Sequence, residues 1–130
     1  MIEVAVVLDR ERRPIHWHAP SEATSVSLRD SRSLWEVLWA RRAELSGVAH
    51  SHPGAGEPLP SQEDLTTFAG VEAGLGLRLE WWITSADRVR CFAYSGPTRY
   101  AYAGREPASD LETADWLAEL RVRSRSRRSF

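Results

Sequence analysis

Between residues 48 and 64 the chain has to leave a strand, turn and enter a helix, and no other stretch restricts its fold as much. Val48-Ala49-His50-Ser51-His52-Pro53 reads as a short apolar strand ending in two histidines and a proline. Residues 53–60 carry two Gly and three Pro, a composition that makes a loop. Ser61-Gln62-Glu63-Asp64 then opens a helix that Leu65, Phe68 and Val71 or Glu72 continue, with Gly74 and Gly76 as its stop. A strand handing over to an amphipathic helix needs a sheet for that helix to cover, which places the chain among α/β folds.

The flanking segments supply the sheet. Residues 2–8 (IEVAVVL) form a β-branched run suited to a strand buried on both faces. After a turn at 9–14, residues 15–19 read as the second strand of a hairpin, and the alternation in 24–28 (TSVSL) as a third. Leu34, Trp35, Leu38, Trp39 and Leu45 recur at helical spacing behind Ser33, which with Glu36 has the form of a capping box; Gly47 is the expected end. Residues 77–84 and 89–94 read as two strands joined by a polar turn, 99–103 as another strand, and Asp110 as the cap of a last helix bearing Leu111, Trp116, Leu117 and Leu120. The expected architecture is a single-domain α/β sandwich, helices on both faces of a mixed sheet, over residues 1–120. Strand order is not readable from these patterns.

Side chains alternate along a strand, so His50 and His52 project to the same face. Two imidazoles side by side can hold one divalent ion, and a helix starting at Ser61 brings Asp64, in its first turn, back toward the same point. Three ligands leave one tetrahedral position open, the arrangement of a catalytic rather than a structural zinc site. Hydrolysis at such a site also needs a general base and an oxyanion donor. Ser61 is placed to donate its hydroxyl, and Glu3, at the head of the first buried strand, is the expected base in preference to Glu11, Glu22 or Glu36. A second pair, His16-x-His18, has no carboxylate following at useful spacing and is expected on the exposed surface of the hairpin. Glu63 is expected to be solvated, and Cys91 to be a small buried hydrophobe.

The combination of HSHP, a proline-containing loop and S-x-x-D resembles the signature of the JAMM (MPN+) metalloproteases, including the prokaryotic JAB-domain proteins. The resemblance spans residues 2 to about 103 and implies an MPN (cytidine-deaminase-like) α-β-α sandwich. It further implies one Zn2+ per chain on His50, His52 and Asp64, with Glu3 as base and Ser61 as oxyanion donor. The implied activity is isopeptide or peptide hydrolysis after the C-terminus of a ubiquitin-like modifier, by deconjugation or precursor processing. E1- and E2-like operon partners, as in bacterial antiphage conjugation systems, belong to that picture. The alternatives are a peptidase acting on sulfur-carrier proteins and a non-catalytic MPN scaffold. Members usually carry a helix before the Glu-bearing strand, whereas here Glu3 stands at the head of the chain.

Composition narrows the remaining classes. With 42% hydrophobic and 27% charged residues, the chain is too apolar and too balanced for disorder. No apolar run approaches the roughly 20 residues of a membrane span, and a single cysteine excludes an internal disulfide, so a cytoplasmic location is expected. All 17 basic residues are Arg, and five of them (121, 123, 125, 127 and 128) lie beyond residue 120, where there is no acid. The near-zero net charge therefore conceals an acidic body and a basic Arg/Ser segment over 121–130, expected to be a disordered tail. Without interleaved aromatics those arginines make a poor nucleic-acid site. Of the six Trp, Trp35 and Trp39 are expected in the core, while adjacent Trp81 and Trp82 should point to opposite sides of one strand, one into the core and the other toward solvent, a covering helix or a partner.

Overall fold

A computed structural model describes residues 4–19, 32–52, 56–105 and 114–126 of the chain. Its β-branched first run forms β1 (Ala5–Asp9), followed by β2 (Pro14–His18), α1 (Arg32–Ala40), β3 (Leu45–Ser51) and α2 (Gln62–Leu75). After these come β4 (Glu80–Thr84), β5 (Val89–Tyr94), β6 (Tyr102–Arg105) and α3 (Asp115–Ser126). The six strands make one sheet in the order β2-β1-β3-β4-β5-β6. Only β3 and β4 are parallel, the crossover between them being α2, and the other four pairings are antiparallel. The thirds strand read over 24–28 and the cap read at Asp110 lie outside the described residues.

Alternation along β1 divides the interior into two cores. Val4, Val6 and Leu8 face α3, packing with Ala49, Trp82, Trp116, Leu117 and Leu120. Ala5 and Val7 face α1 and α2, packing with Leu34, Leu38, Phe68, Leu75, Trp81 and Ile83. The architecture is thus the expected mixed-sheet sandwich, with two helices on one face and one on the other. Full burial of side chains such as Leu117 and Leu120 contributes about 1.5–3 kcal/mol each, which is what holds α3 to the sheet. Adjacent Trp81 and Trp82 both end up buried, one in each core, because the second lies beneath α3 with its ring edge-on to Trp116 at 6.3 Å.

Four expectations are corrected. The helix read from Ser33 as far as Leu45 and Gly47 ends at Ala40, and both residues belong to β3. Gly47 is needed in the strand: it stands opposite Glu80, and a Cβ there would collide with the Glu80 carbonyl oxygen. Ser33 falls inside the first turn of α1, since the helix opens at Arg32. Trp39 is 46% exposed rather than core, because the core-facing stripe of this short helix is Leu34 and Leu38; Trp39, one residue further round, stacks on Trp35 and lies under the Arg42 guanidinium at 3.9 Å. Close to the Trp35 ring, α2 runs through Gly74 and is capped by Gly76, whose φ of 70° is the left-handed conformation glycine adopts without strain.

The fourth correction concerns the basic tail. Helix α3 continues to Ser126, so residues 121–126 belong to the folded unit and not to a disordered tail. Leu117, Leu120 and Ser124 recur at helical spacing on its buried side. Arg123 pairs with Glu119 one turn back at 2.8 Å and covers the Trp17 ring at 4.2 Å. Residues 127–130 lie outside the described part. No helix among the described residues is long and apolar enough to cross a membrane.

Candidate metal centre

Strands β3 and β4 run side by side to the same edge of the sheet, where Ser51 stands opposite Thr84. In open α/β sheets this carboxyl end of parallel strands is the usual ligand position. His50 lies within β3, paired with Ala5 on one side and Ile83 on the other. Ser51 points to the opposite face, where its hydroxyl accepts the Val4 N–H at 3.0 Å. His52 lies one residue past the strand and donates its backbone N–H to the Thr84 carbonyl at 2.8 Å. The loop ahead of α2 is tied to the β4–β5 turn: the Gly56 N–H donates to Asp87 Oδ1 at 3.0 Å, and Glu57 pairs with both Arg88 and Arg90.

Ser61 caps α2 in a reciprocal box. Its Oγ accepts the Asp64 N–H at 3.0 Å, and the Asp64 carboxylate accepts the Ser61 N–H at 2.9 Å. The cap therefore fixes both side chains, and it uses an oxygen lone pair of the Ser61 hydroxyl while leaving its hydrogen to donate elsewhere. Ser61 itself is exposed, at the mouth of the site.

Three side chains converge there. His50 Nε2 and His52 Nε2 are 3.2 Å apart, His52 Nε2 is 2.9 Å from Asp64 Oδ2, and His50 Nε2 is 3.6 Å from Asp64 Oδ1. Bonds of about 2.0–2.1 Å at tetrahedral angles require ligand atoms about 3.3 Å apart. The His50–His52 separation lies close to that value, and the two imidazoles approach different oxygens of one carboxylate, so the three side chains have the chemistry to hold one zinc ion and come near the spacing it needs. Among the described residues these three form a group able to bind a metal. Phe68 of α2 presses its ring edge-on to His50, with centroids 6.3 Å apart, and limits how far that imidazole can swing.

Burial of Asp64 opposes its ionisation, but hydrogen bonds from His50 and His52, the charge of His50 and the Ser61 N–H together hold its carboxyl far below the usual carboxylate range. An ionised carboxylate is the form of Asp64 that can ligate a metal, and each imidazole ligates through an unprotonated ring nitrogen.

Glu3 lies outside the described residues, as does Glu22. Glu11 sits in the β1–β2 turn, at the opposite end of the sheet, and Glu36 is exposed on α1 paired with Arg32, so neither approaches the site. Glu63 is exposed, as expected, and Cys91 is buried in the core beneath α3.

The second histidine pair is a correction. His18 is only 9% exposed and His16 half-buried, although their strand lies at the edge of the sheet. Burial lowers the pKa of both, assisted by Arg41 at His16 and by His16 at His18. Ala5 stands between His18 and His50 in the ladder, so the two pairs share a face with β1 between them.

Sequence reasoning missed Glu72. This α2 residue is 2% exposed, and its carboxylate accepts from the Leu79 N–H, the Trp81 indole, the Tyr102 hydroxyl and Arg78. The available signal was its position, since it follows Phe68 by one turn on the apolar stripe of the helix, where a charge must be paired.

A family model described as prokaryotic homologs of the JAB domain matches residues 3–95, which span β1 to β5 and the whole ligand set. No curated protein matches the chain.

Proposed function

The chain belongs to the family of prokaryotic JAB-domain homologs, and from that premise we propose that it is a zinc-dependent peptidase or isopeptidase. Its substrate would be the bond after the C-terminus of a ubiquitin-like modifier. The observation that carries this reading is the convergence of the His50 and His52 Nε2 atoms and the Asp64 carboxylate on one point, a three-ligand set that would leave a bound zinc ion a further position for water and substrate. When bound, the ion supplies Lewis acidity that acidifies water and polarises a carbonyl. Asp64 and the two imidazoles hold it, fixed respectively by the Ser61 cap and by the end of β3.

In this proposal the Glu3 carboxylate takes the proton of the attacking water and returns it to the leaving amine, so that the C–N bond breaks without releasing a free amide anion. The ladder that sets Ala5 opposite His50 runs toward the ligand end of β3, which supports a base two residues upstream of Ala5. Ser61 donates its hydroxyl hydrogen to the developing oxyanion. Retention of the complete ligand set favours an enzyme over a non-catalytic scaffold.

The test combines metal content with cleavage. Wild-type protein should carry one equivalent of zinc by elemental analysis, His50→Ala less than about a tenth of that, and a ubiquitin-like modifier fusion should be cut by wild type but not by Glu3→Ala. Wild-type protein that takes up no zinc on reconstitution would remove the reading. Full cleavage by Glu3→Ala would remove the assignment of the base.

A further inference from the structure

Arg121 is the first arginine of the basic segment, and it does not point into solvent. Its Nε donates to Thr84 Oγ1 and to the Ser85 carbonyl, both at 3.1 Å. One of its terminal nitrogens is buried with no hydrogen-bond partner among the described residues. It lines a small cavity together with Ser51, His52, Thr84, Ser85, Ala86 and Ser124, on the side of the sheet away from α2. Burying a guanidinium nitrogen without a hydrogen-bond partner costs stability. Packing alone would be better served by an apolar residue, so the gain lies in what the guanidinium holds.

What it holds is the carboxyl end of β4. The Thr84 hydroxyl that accepts from Arg121 shares its single hydrogen between two carbonyls of the β4–β5 turn, those of Ser85 and Arg88, each 2.8 Å away. The carbonyl of the same Thr84 accepts the backbone N–H of His52. A continuous chain of contacts thus runs from α3 through Thr84 to the one histidine of the pair that lies beyond its strand. His50 needs no such support, because it is paired within the sheet on both sides.

We propose that Arg121 is a positioning residue for the metal centre: by clamping the end of β4 it sets where His52 stands relative to His50 and Asp64. This makes α3 part of the ligand geometry although none of its residues is a ligand, and it rests on the zinc reading above. Groups supporting a metal ligand typically change affinity by 10–100-fold when removed, and a guanidinium acting through one intervening residue belongs at the lower end, about tenfold.

The experiment measures zinc affinity by chelator competition, the Co2+ ligand-field spectrum, and the unfolding midpoint of the metal-free protein. Arg121→Met keeps the aliphatic stem and removes the clamp; Thr84→Val removes the accepting hydroxyl. Each should lower zinc affinity about tenfold and alter the Co2+ spectrum, while Thr84→Ser matches wild type. Arg123→Met, the same charge change on the solvent side of the same helix, should move neither readout. If Arg121→Met fails to fold, Thr84→Val carries the test. Wild-type affinity and spectrum in folded Arg121→Met and Thr84→Val would overturn the proposal while leaving the zinc reading intact. So would a lowered metal-free midpoint with an unchanged Co2+ spectrum, or failure of both variants to fold without metal, since either assigns the clamp to the fold alone. Wild-type protein that binds neither ion would remove the zinc reading, and this proposal with it.

Discussion

Replacing Glu72 by Ala removes the one acceptor shared by four donors around the core of the α1/α2 face. The Leu79 N–H and the Trp81 indole lie 3.0 and 2.8 Å from one carboxylate oxygen, and Arg78 and the Tyr102 hydroxyl lie 2.9 and 2.5 Å from the other. Arg78 is largely exposed and recovers water, so its loss costs little. The Leu79 and Trp81 donors are buried and the Tyr102 hydroxyl is half-buried. At about 1–3 kcal/mol for each donor left without an acceptor, the loss is about 3–5 kcal/mol, the range for breaking a buried charged network. Unfolding entropy of about 2.1 cal/mol/K per residue over this length converts that to a fall in Tm of about 11–18 °C. Glu72→Gln should lose less, about 1–3 kcal/mol, since its carbonyl can still serve Leu79 and Trp81 while its amide donates to the Tyr102 oxygen. Thermal unfolding followed by tryptophan fluorescence and by circular dichroism reads both variants. The two probes should agree if unfolding is a single transition. Glu72→Ala melting within about 3 °C of wild type, below 1 kcal/mol, would mean that those donors find other partners and that the carboxylate is not what satisfies them.

Burial, and then the Glu72 carboxylate, raise the Tyr102 phenol above its ordinary range. A raised folded value means that its contribution is complete below the unfolded pKa of about 10 and is lost as pH rises through the folded one; Tm should therefore fall more steeply for wild type than for Tyr102→Phe between about pH 9 and 11. Gly47→Ala should lower the urea midpoint by the equivalent of about 1–3 kcal/mol, because the new Cβ meets the Glu80 backbone, which cannot rotate away; an unchanged midpoint would contradict the register of β3 against β4. Ser61→Gly should keep stability within a few tenths of a kcal/mol, glycine being a tolerated cap, yet reduce modifier cleavage about 10²–10³-fold. Undiminished cleavage would limit that hydroxyl to capping.

Much of the candidate site was legible because its parts are local. His50 and His52 share a face by strand alternation, and Ser61 fixes Asp64 by a cap only three residues long. Neither relation depends on the rest of the chain. The loop between them could be read from its Gly and Pro content, although its attachment to Arg88 and Arg90 through Glu57 could not. Periodicity misled where two patterns overlapped: Leu45 continues the helical spacing of Leu34 and Leu38, but the pairing of Gly47 with Leu8 and Glu80 claims it for β3. The same applies to Trp39, since hydrophobicity alone does not say how far round a short helix the sheet reaches.

By itself, then, the sequence determined most strands of the sheet, the helix that follows β3, and three side chains able to hold a metal and aimed at one point. These follow from side-chain alternation, turn composition and capping, which act over a few residues. Only the tertiary structure decided the strand order, the covering of Trp82, the burial of His18 and Glu72, and the inclusion of residues 121–126 in a helix that grips β4. Each of those depends on contacts between different elements of the assembled fold. Burial and desolvation are properties of the assembled layers, and a charged residue such as Glu72 or Arg121 shows its role only when the groups it satisfies have been brought to it.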